Sequence, residues 1–204
     1  MPRLYLASAS PRRRELLTQI GLSFVVIPQQ IDESLRPGER ADHYVLRLAT
    51  EKAGAGWQDL QRELALPVLA ADTSVVCEGQ ILGKPSTLEE ARTMLQLLSG
   101  RTHQVLTAVA VGFEDMLQTR VVSTDVGFRQ LSINEIDAYW HSGEPQDKAG
   151  AYGIQGKGAL FVESITGSYS NVVGLPLFEA AQLLEAFGIH TLALLQERLQ
   201  EQAA

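Results

Sequence analysis

Short apolar runs alternate with stretches of helical periodicity along most of the chain, and that alternation restricts it to one fold class. Runs at residues 4–7, 23–27, 67–77, 105–112, 120–131 and 159–165 read as strands. Residues 11–20, 41–61, 88–98, 133–141, 177–187 and 191–200 carry apolar positions at three- and four-residue spacing and read as helices. Interleaved strands and helices predict an α/β protein, a twisted sheet with flanking helices. Runs 105–112 and 120–131 are joined around the polar pair Glu114-Asp115, the pattern of an antiparallel hairpin, so the sheet is expected to be mixed. Thr87-Leu-Glu-Glu90 and Ser132-Ile-Asn-Glu135 read as capping boxes. Gly21, Gly100, Gly143 and Gly188 stand where helices would end in a left-handed residue. No internal repeat or low-complexity linker divides the chain. Residues 1–204 are therefore expected to form a single domain, with any second lobe interleaved with the first.

Of the 204 residues 45% are hydrophobic and 20% charged, which suffices for one substantial core or two closely packed lobes. A net charge of -7 argues against non-specific nucleic-acid binding, so an anionic substrate would need a local basic pocket on an acidic background. The single cysteine, Cys77, excludes an internal disulfide and a multi-cysteine zinc site; within Val75-Val76-Cys77 it reads as a small buried hydrophobe. No run approaches the roughly 20 apolar residues of a membrane span. With no signal-peptide pattern at the start, a cytoplasmic protein with no membrane partner is expected. His43, His103, His141 and His190 show no ligand spacing and read as surface or core residues.

Several polar clusters interrupt the apolar pattern. In Ser8-Ala-Ser10-Pro11-Arg12-Arg13-Arg14, Ser10 is expected as an N-cap and Pro11 as the first helical residue. Hydroxyls and guanidiniums then meet at a helix N-terminus, where N–H groups, dipole and Arg forks favour a phosphate; a solvated basic helix start is the alternative. Asp72 lies in the strand-like run Ala70-Ala-Asp-Thr-Ser-Val-Val76. Aspartate suits strands poorly and is costly to bury alone, so a metal, a cation or a proton to move is expected beside it, against the plainer reading of a strand-end salt bridge. Gly83-Lys84-Pro85 fixes the backbone around a cation a hairpin's length from Asp72. It is not a Walker A loop, because proline follows the lysine, and by itself it reads as an exposed turn. Asp32-Glu33 can hold a hard cation such as Mg²⁺ or form a solvated acidic loop. Lys52 lies on a helix whose Leu48 and Ala49 face inward, and points either into a cleft or into water. Four glycines between Asp147 and Gly158 imply special backbone angles and close approach, with Tyr152 placed to stack on a base and Gln155 to read its edges. Gly167-Ser-Tyr-Ser-Asn171-Val-Val-Gly174-Leu-Pro176 is a second polar loop, or a structural loop packed under the following helix.

Together, Ser8-Ala-Ser10-Pro11-Arg12-Arg13, Ala71-Asp72-Thr73, Gly83-Lys84-Pro85 and Gly167 to Pro176, in this order, resemble the Maf family of nucleoside triphosphate pyrophosphatases. The resemblance runs from Leu4 to about Phe187. The segment from Asp147 to Gly156 is similar to the branch acting on dTTP and UTP, with Gly153 where that branch more often has alanine. The resemblance implies two lobes about a deep cleft, as in inosine triphosphate pyrophosphatase, and a homodimer. It implies cleavage between the α and β phosphates to a nucleoside monophosphate and pyrophosphate, with links to clearing modified nucleotides and to cell-division arrest. By position, Asp72 would accept the proton of the attacking water, and Glu33 with Asp72 would hold a divalent cation, Mg²⁺ or Mn²⁺. Ser8, Arg13, Lys52 and Lys84 would bind the phosphates; Arg12, Thr73 and Gln155 would choose the base. Two other readings stay open: the same chemistry on CTP or 7-methyl-GTP, and a nucleotide-binding division regulator without turnover.

Overall fold

The computed structural model describes residues 1–59 and 65–193. Its strands are β1 (Leu4–Leu6), β2 (Phe24–Val26), β3 (Val68–Cys77), β4 (Gln80–Leu82), β5 (Thr102–Phe113), β6 (Met116–Phe128) and β7 (Val162–Thr166). Its α-helices are α1 (Pro11–Gln19), α2 (Ala41–Asp59), α3 (Leu88–Leu98), α4 (Ile133–His141), α5 (Tyr169–Val173) and α6 (Leu177–Glu185). The strands form one sheet in the order β2-β1-β3-β5-β6-β7, with β4 paired to β3. β1 runs parallel to β2 and β3, whereas β3/β4 and β6/β7 are antiparallel, so the sheet is mixed as expected. β5 and β6 are joined by Glu114-Asp115, with Glu114 at φ 53, the tight hairpin connection anticipated there. The ends of the helices expected over 41–61 and 191–200 lie outside the described residues.

The chain divides into two compact units that interleave along the sequence. The first comprises Met1–Asp72, Ala108–Val121 and Gly174–Ala204; the second, Thr73–Thr107 and Val122–Val173. In the first, Leu4, Leu6, Leu17, Val45, Leu48, Leu69 and Leu184 are fully buried. Gly56 lets α2 lie close on the sheet there: a Cβ at this position would meet Val68 Cγ1 at 3.0 Å, Ile27 Cδ1 at 3.2 Å and Ala7 Cβ at 3.3 Å. In the second, Leu95, Leu98 and Ile136 are buried together with an aromatic group of His103, Phe128, Tyr139, Tyr152 and Phe161. Arg92 forks onto Asp137 at 2.7 and 2.8 Å, tying α3 to α4.

Some expectations are corrected. Residues 159–165 are not a single strand: a 3₁₀ turn at Lys157–Phe161 precedes β7. The Lys157 and Gly158 N–H groups donate to the Glu144 carboxylate at 2.8 and 3.0 Å, so an acid thirteen or fourteen residues back caps the turn. β6 ends at Phe128 rather than Leu131, because the Ser99 hydroxyl accepts the Leu131 N–H and the Ser132 cap begins α4. Ser132–Glu135 is a complete capping box. At α3 the Thr87 hydroxyl caps the Glu90 N–H, but the Glu90 carboxylate turns to the Ser86 N–H and hydroxyl at 2.7 and 2.6 Å. β4 is too short to leave a periodic signature. The polar loop 167–176 contains one helical turn, α5, started by the Ser168 hydroxyl accepting the Asn171 N–H at 3.2 Å.

Candidate active site

Asp72 is the last residue of the first unit, on β3, and is 8% exposed. Its Oδ1 accepts a hydrogen bond from Lys52 Nζ at 2.8 Å; Oδ2 makes no hydrogen bond among the described residues. The same ammonium lies 2.5 Å from Glu33 Oε1, whose side chain is 53% exposed. The open question about Lys52 is thereby answered: it projects from α2 into the protein, 9% exposed, and gathers two carboxylates far apart in sequence. The aspartate within the strand does have a partner, the Lys52 ammonium, an arrangement that meets both the expected cation and the plainer reading of a salt bridge. Asp32 plays a different part from Glu33, since its carboxylate accepts the Ser34 N–H and hydroxyl and closes the loop on itself.

The start of α1 adds positive groups. Ser10 occupies the N-cap position in extended conformation (φ -64°, ψ 119°), but its side chain does not cap the helix. The buried Ser8 hydroxyl accepts the Ser10 N–H and Arg13 Nη1, both at 3.2 Å, so Ser10 holds the expected N-cap position by its backbone alone. Arg13 also donates from Nε to the Gly174 carbonyl at 2.8 Å, and so is held at both ends of its guanidinium. Burial pulls the Arg13 pKa below its ordinary value, the charges of Asp72 and Glu33 push it up, and Arg12 pulls it down. Ser8, Arg12, Arg13, Glu33, Lys52 and Asp72 thus make one electrostatic group within the first unit. With no acidic residue in its first turn, the nine-residue α1 keeps an N-terminus complementary to an anion.

Thr73, Lys84 and Gln155 belong to the second unit. Thr73 Oγ1 is 3.0 Å from Thr107 Oγ1, and Thr107 donates its proton to the Asn171 carbonyl at 3.0 Å, so Thr73 is the donor in the first of these bonds. Asn171, fully buried, donates to the Val105 carbonyl at 2.9 Å and Thr124 Oγ1 at 3.0 Å, which makes 167–176 a structural loop here. Lys84 follows β4, is exposed and has no ion-pair partner among the described residues. Gly150 binds the glycine-rich segment next to it: its N–H donates to the Gly83 carbonyl at 3.0 Å, and at φ +68° a Cβ would strike Val75 at 2.8 Å. Gln155 is exposed on that segment. Tyr152 is not laid open as a stacking surface. It is 6% exposed, packs edge-on against His103 and Phe128, and bonds His103 Nε2 at 2.9 Å, because the apolar residues around it bury the ring. Cys77 is buried, as expected, and burial raises its thiol pKa.

Sequence reasoning passed over Tyr44 and Arg47. Both lie on α2, beside Glu39, Glu51 and Arg36, and the Arg47–Glu51 pair one helical turn apart was the available signal. Among the described residues no group of three or more His, Cys, Asp or Glu side chains is arranged to hold a metal ion. Two carboxylate oxygens converging on one point charge nevertheless suit a hard divalent cation, which takes one or two protein carboxylates and completes its shell with water and phosphate oxygens.

The first unit thus brings the arginine-bearing start of α1 and the Glu33–Lys52–Asp72 cluster together in an α/β protein. The chain belongs to the family described as Maf-like protein, whose model matches residues 3–187. It is 54% identical over 192 residues to the dTTP/UTP pyrophosphatase of Alkalilimnicola ehrlichii, covering 92% of this chain and 94% of that one. It is 54% identical over 189 residues to the dTTP/UTP pyrophosphatase of Chromobacterium violaceum, covering 91% and 95%. A solved structure, the Staphylococcus aureus Ham1 protein, is 18% identical with a TM-score of 0.42, covering 62% of this chain and 70% of that one. At that distance it carries no functional argument.

Proposed function

We propose that this chain is a nucleoside triphosphate pyrophosphatase that hydrolyses dTTP and UTP to the monophosphate and pyrophosphate. The observation that carries the reading is the convergence of Glu33 and Asp72 on Lys52 Nζ, electrostatically coupled to Arg13. Relatives 54% identical over most of the chain, named for that activity, support the choice of substrate. A triphosphate carries about four negative charges, and phosphoryl transfer asks a protein mainly for positioning and charge stabilisation. Arg13, Lys52 and Lys84 supply cations for it, and the Ser8 hydroxyl and the α1 N-terminus supply polar contacts. Asp72 keeps Oδ1 on Lys52, which leaves Oδ2 to take the proton of the attacking water. Glu33 and Asp72 would hold Mg²⁺ or Mn²⁺, which when bound neutralises phosphate charge. Arg12, Thr73 and Gln155 select the base. A homodimer and a cytoplasmic setting, where nucleoside triphosphates are made, belong to the same proposal. Among the described residues no helix is long and apolar enough to cross a membrane.

The test is pyrophosphate release from dTTP, UTP, CTP and 7-methyl-GTP in parallel, with Mg²⁺, with Mn²⁺ and with chelator. Fastest turnover of dTTP and UTP, abolished by chelator, is the expected result. Faster turnover of CTP or 7-methyl-GTP reassigns the base. Nucleotide binding with no pyrophosphate from any substrate makes the protein a binder, the division-regulator reading.

A further inference from the structure

The loop that presents Glu33 is gripped from α2. Arg47 donates from Nη2 to the Ser34 carbonyl at 3.0 Å and, more weakly, from Nη1 to the Asp32 carbonyl at 3.5 Å. Tyr44 Oη donates to the Glu33 carbonyl at 2.7 Å. Three successive carbonyls are therefore engaged by two side chains one helical turn apart. Arg47 is itself immobilised: Nε and Nη2 fork onto the Glu39 carboxylate at 2.7 and 2.8 Å, and the guanidinium lies 5.5 Å from the centre of the Tyr44 ring. The Arg47 fork holds the Glu39 carboxyl down at about 2, and Glu39 also takes the Arg36 N–H at 3.1 Å. Lys52, the group that Glu33 meets, stands on the same helix, so grip and target share one rigid element. A half-exposed carboxylate on a free loop would have to be ordered each time a ligand arrived. Here the ordering has already occurred.

We propose that Tyr44 and Arg47 are positioning residues for Glu33, presenting its carboxylate to the Lys52–Asp72 pair before any ligand arrives and so setting the site's affinity for a divalent cation. This rests on the function proposed above for Glu33. Outer-shell partners of metal-site residues typically alter affinity about 10–100-fold. Tyr44 contributes one of the loop's bonds and Arg47 two of them plus the anchor to Glu39.

Tyr44→Phe and Arg47→Lys are prepared alone and in a Glu33→Gln background. Mn²⁺ binding to the nucleotide-free protein is measured by electron paramagnetic resonance, and kcat and KM for UTP are measured at saturating Mn²⁺. Tyr44→Phe is expected to weaken Mn²⁺ binding about three- to tenfold, just below that range, and Arg47→Lys about tenfold or more, within it. At saturating Mn²⁺, kcat should change far less than metal affinity, and both losses should vanish once Glu33 is glutamine. Wild-type Mn²⁺ affinity in both single variants, or losses that persist in the Glu33→Gln background, overturns the proposal. If Arg47→Lys does not fold, Tyr44→Phe, which deletes one oxygen, decides by the same criteria. A wild-type protein that neither binds Mn²⁺ nor cleaves UTP overturns the functional reading itself, and shows it before any variant is compared.

Discussion

Replacing Lys52 by methionine keeps most of the side chain's bulk and removes the charge that holds Asp72 and Glu33 together. At 2.8 Å and an effective dielectric near 20, the Lys52–Asp72 attraction is about 6 kcal/mol, much of it offsetting the desolvation of two mostly buried groups. Deleting one partner of such a pair costs roughly 3–5 kcal/mol, because the other charge stays buried and uncompensated. The Glu33 contact adds at most about 1 kcal/mol, since that carboxylate is half in water. Arg13 also acts electrostatically on Asp72 and takes up part of the loss, which places the expected destabilisation near the lower bound, about 3 kcal/mol. In a chain of this length each kcal/mol moves Tm by about 2–4 °C, so Lys52→Met should melt about 6–12 °C below wild type at pH 7. Thermal unfolding followed by circular dichroism measures this. The double variant Lys52→Met/Asp72→Asn should be less destabilised than the sum of the two single variants by about 1–3 kcal/mol, since the stranded charge is gone. A Tm within about 2 °C of wild type for Lys52→Met, or strict additivity in the double variant, would refute the reasoning.

Asp72→Asn should retain the fold, though less stably, and lose turnover by about two orders of magnitude or more, as general-base deletions do; near-normal pyrophosphate release by that variant removes Asp72 from the mechanism. Lys84→Ala should raise KM for UTP, and unchanged kcat and KM would return Lys84 to an ordinary surface lysine. His103, 2% exposed, is held by burial at a pKa of about 4 against an ordinary 6.5, with Asp125 pulling weakly the other way. The unfolded chain therefore binds the proton first: the His103 contribution is fully present above pH 6.5 and falls by about 1.4 kcal/mol per pH unit down to about pH 4. His103→Gln should flatten the loss of stability between pH 6.5 and 4, measured by denaturant unfolding, and identical slopes in the two proteins would count against it. Asn171→Ala strands the Val105 carbonyl and should cost about 2–3 kcal/mol in the same assay, whereas a loss under about 1 kcal/mol would show that water replaces the amide.

Helices 88–98 and 133–141 were legible in the sequence to the residue, because everything that delimits them lies within a few positions: Thr87 and Ser132 at their starts, Gly100 and Gly143 just past their ends. The mixed sheet was legible for the same reason, since alternation, hairpin spacing and turn residues are short-range signals. Asp72 could be picked out because it disturbs an apolar strand, whereas Glu33, Lys52 and Lys84 each fitted an ordinary surface reading and were ranked only by the resemblance to a family. Their partners could not be picked out. Lys52 is 20 residues from Asp72, and nothing in the helix around it says which way an ammonium will point. Only packing decided that it would face two carboxylates, that Tyr152 would be enclosed by His103 and Phe128 rather than meet a base, and that Arg47 would hold the Glu33 loop. Local preference follows from torsions and hydrogen bonds between near neighbours, which the sequence encodes directly. The destination of a long charged or aromatic side chain depends on what is desolvated around it, and that exists only once distant segments have packed together.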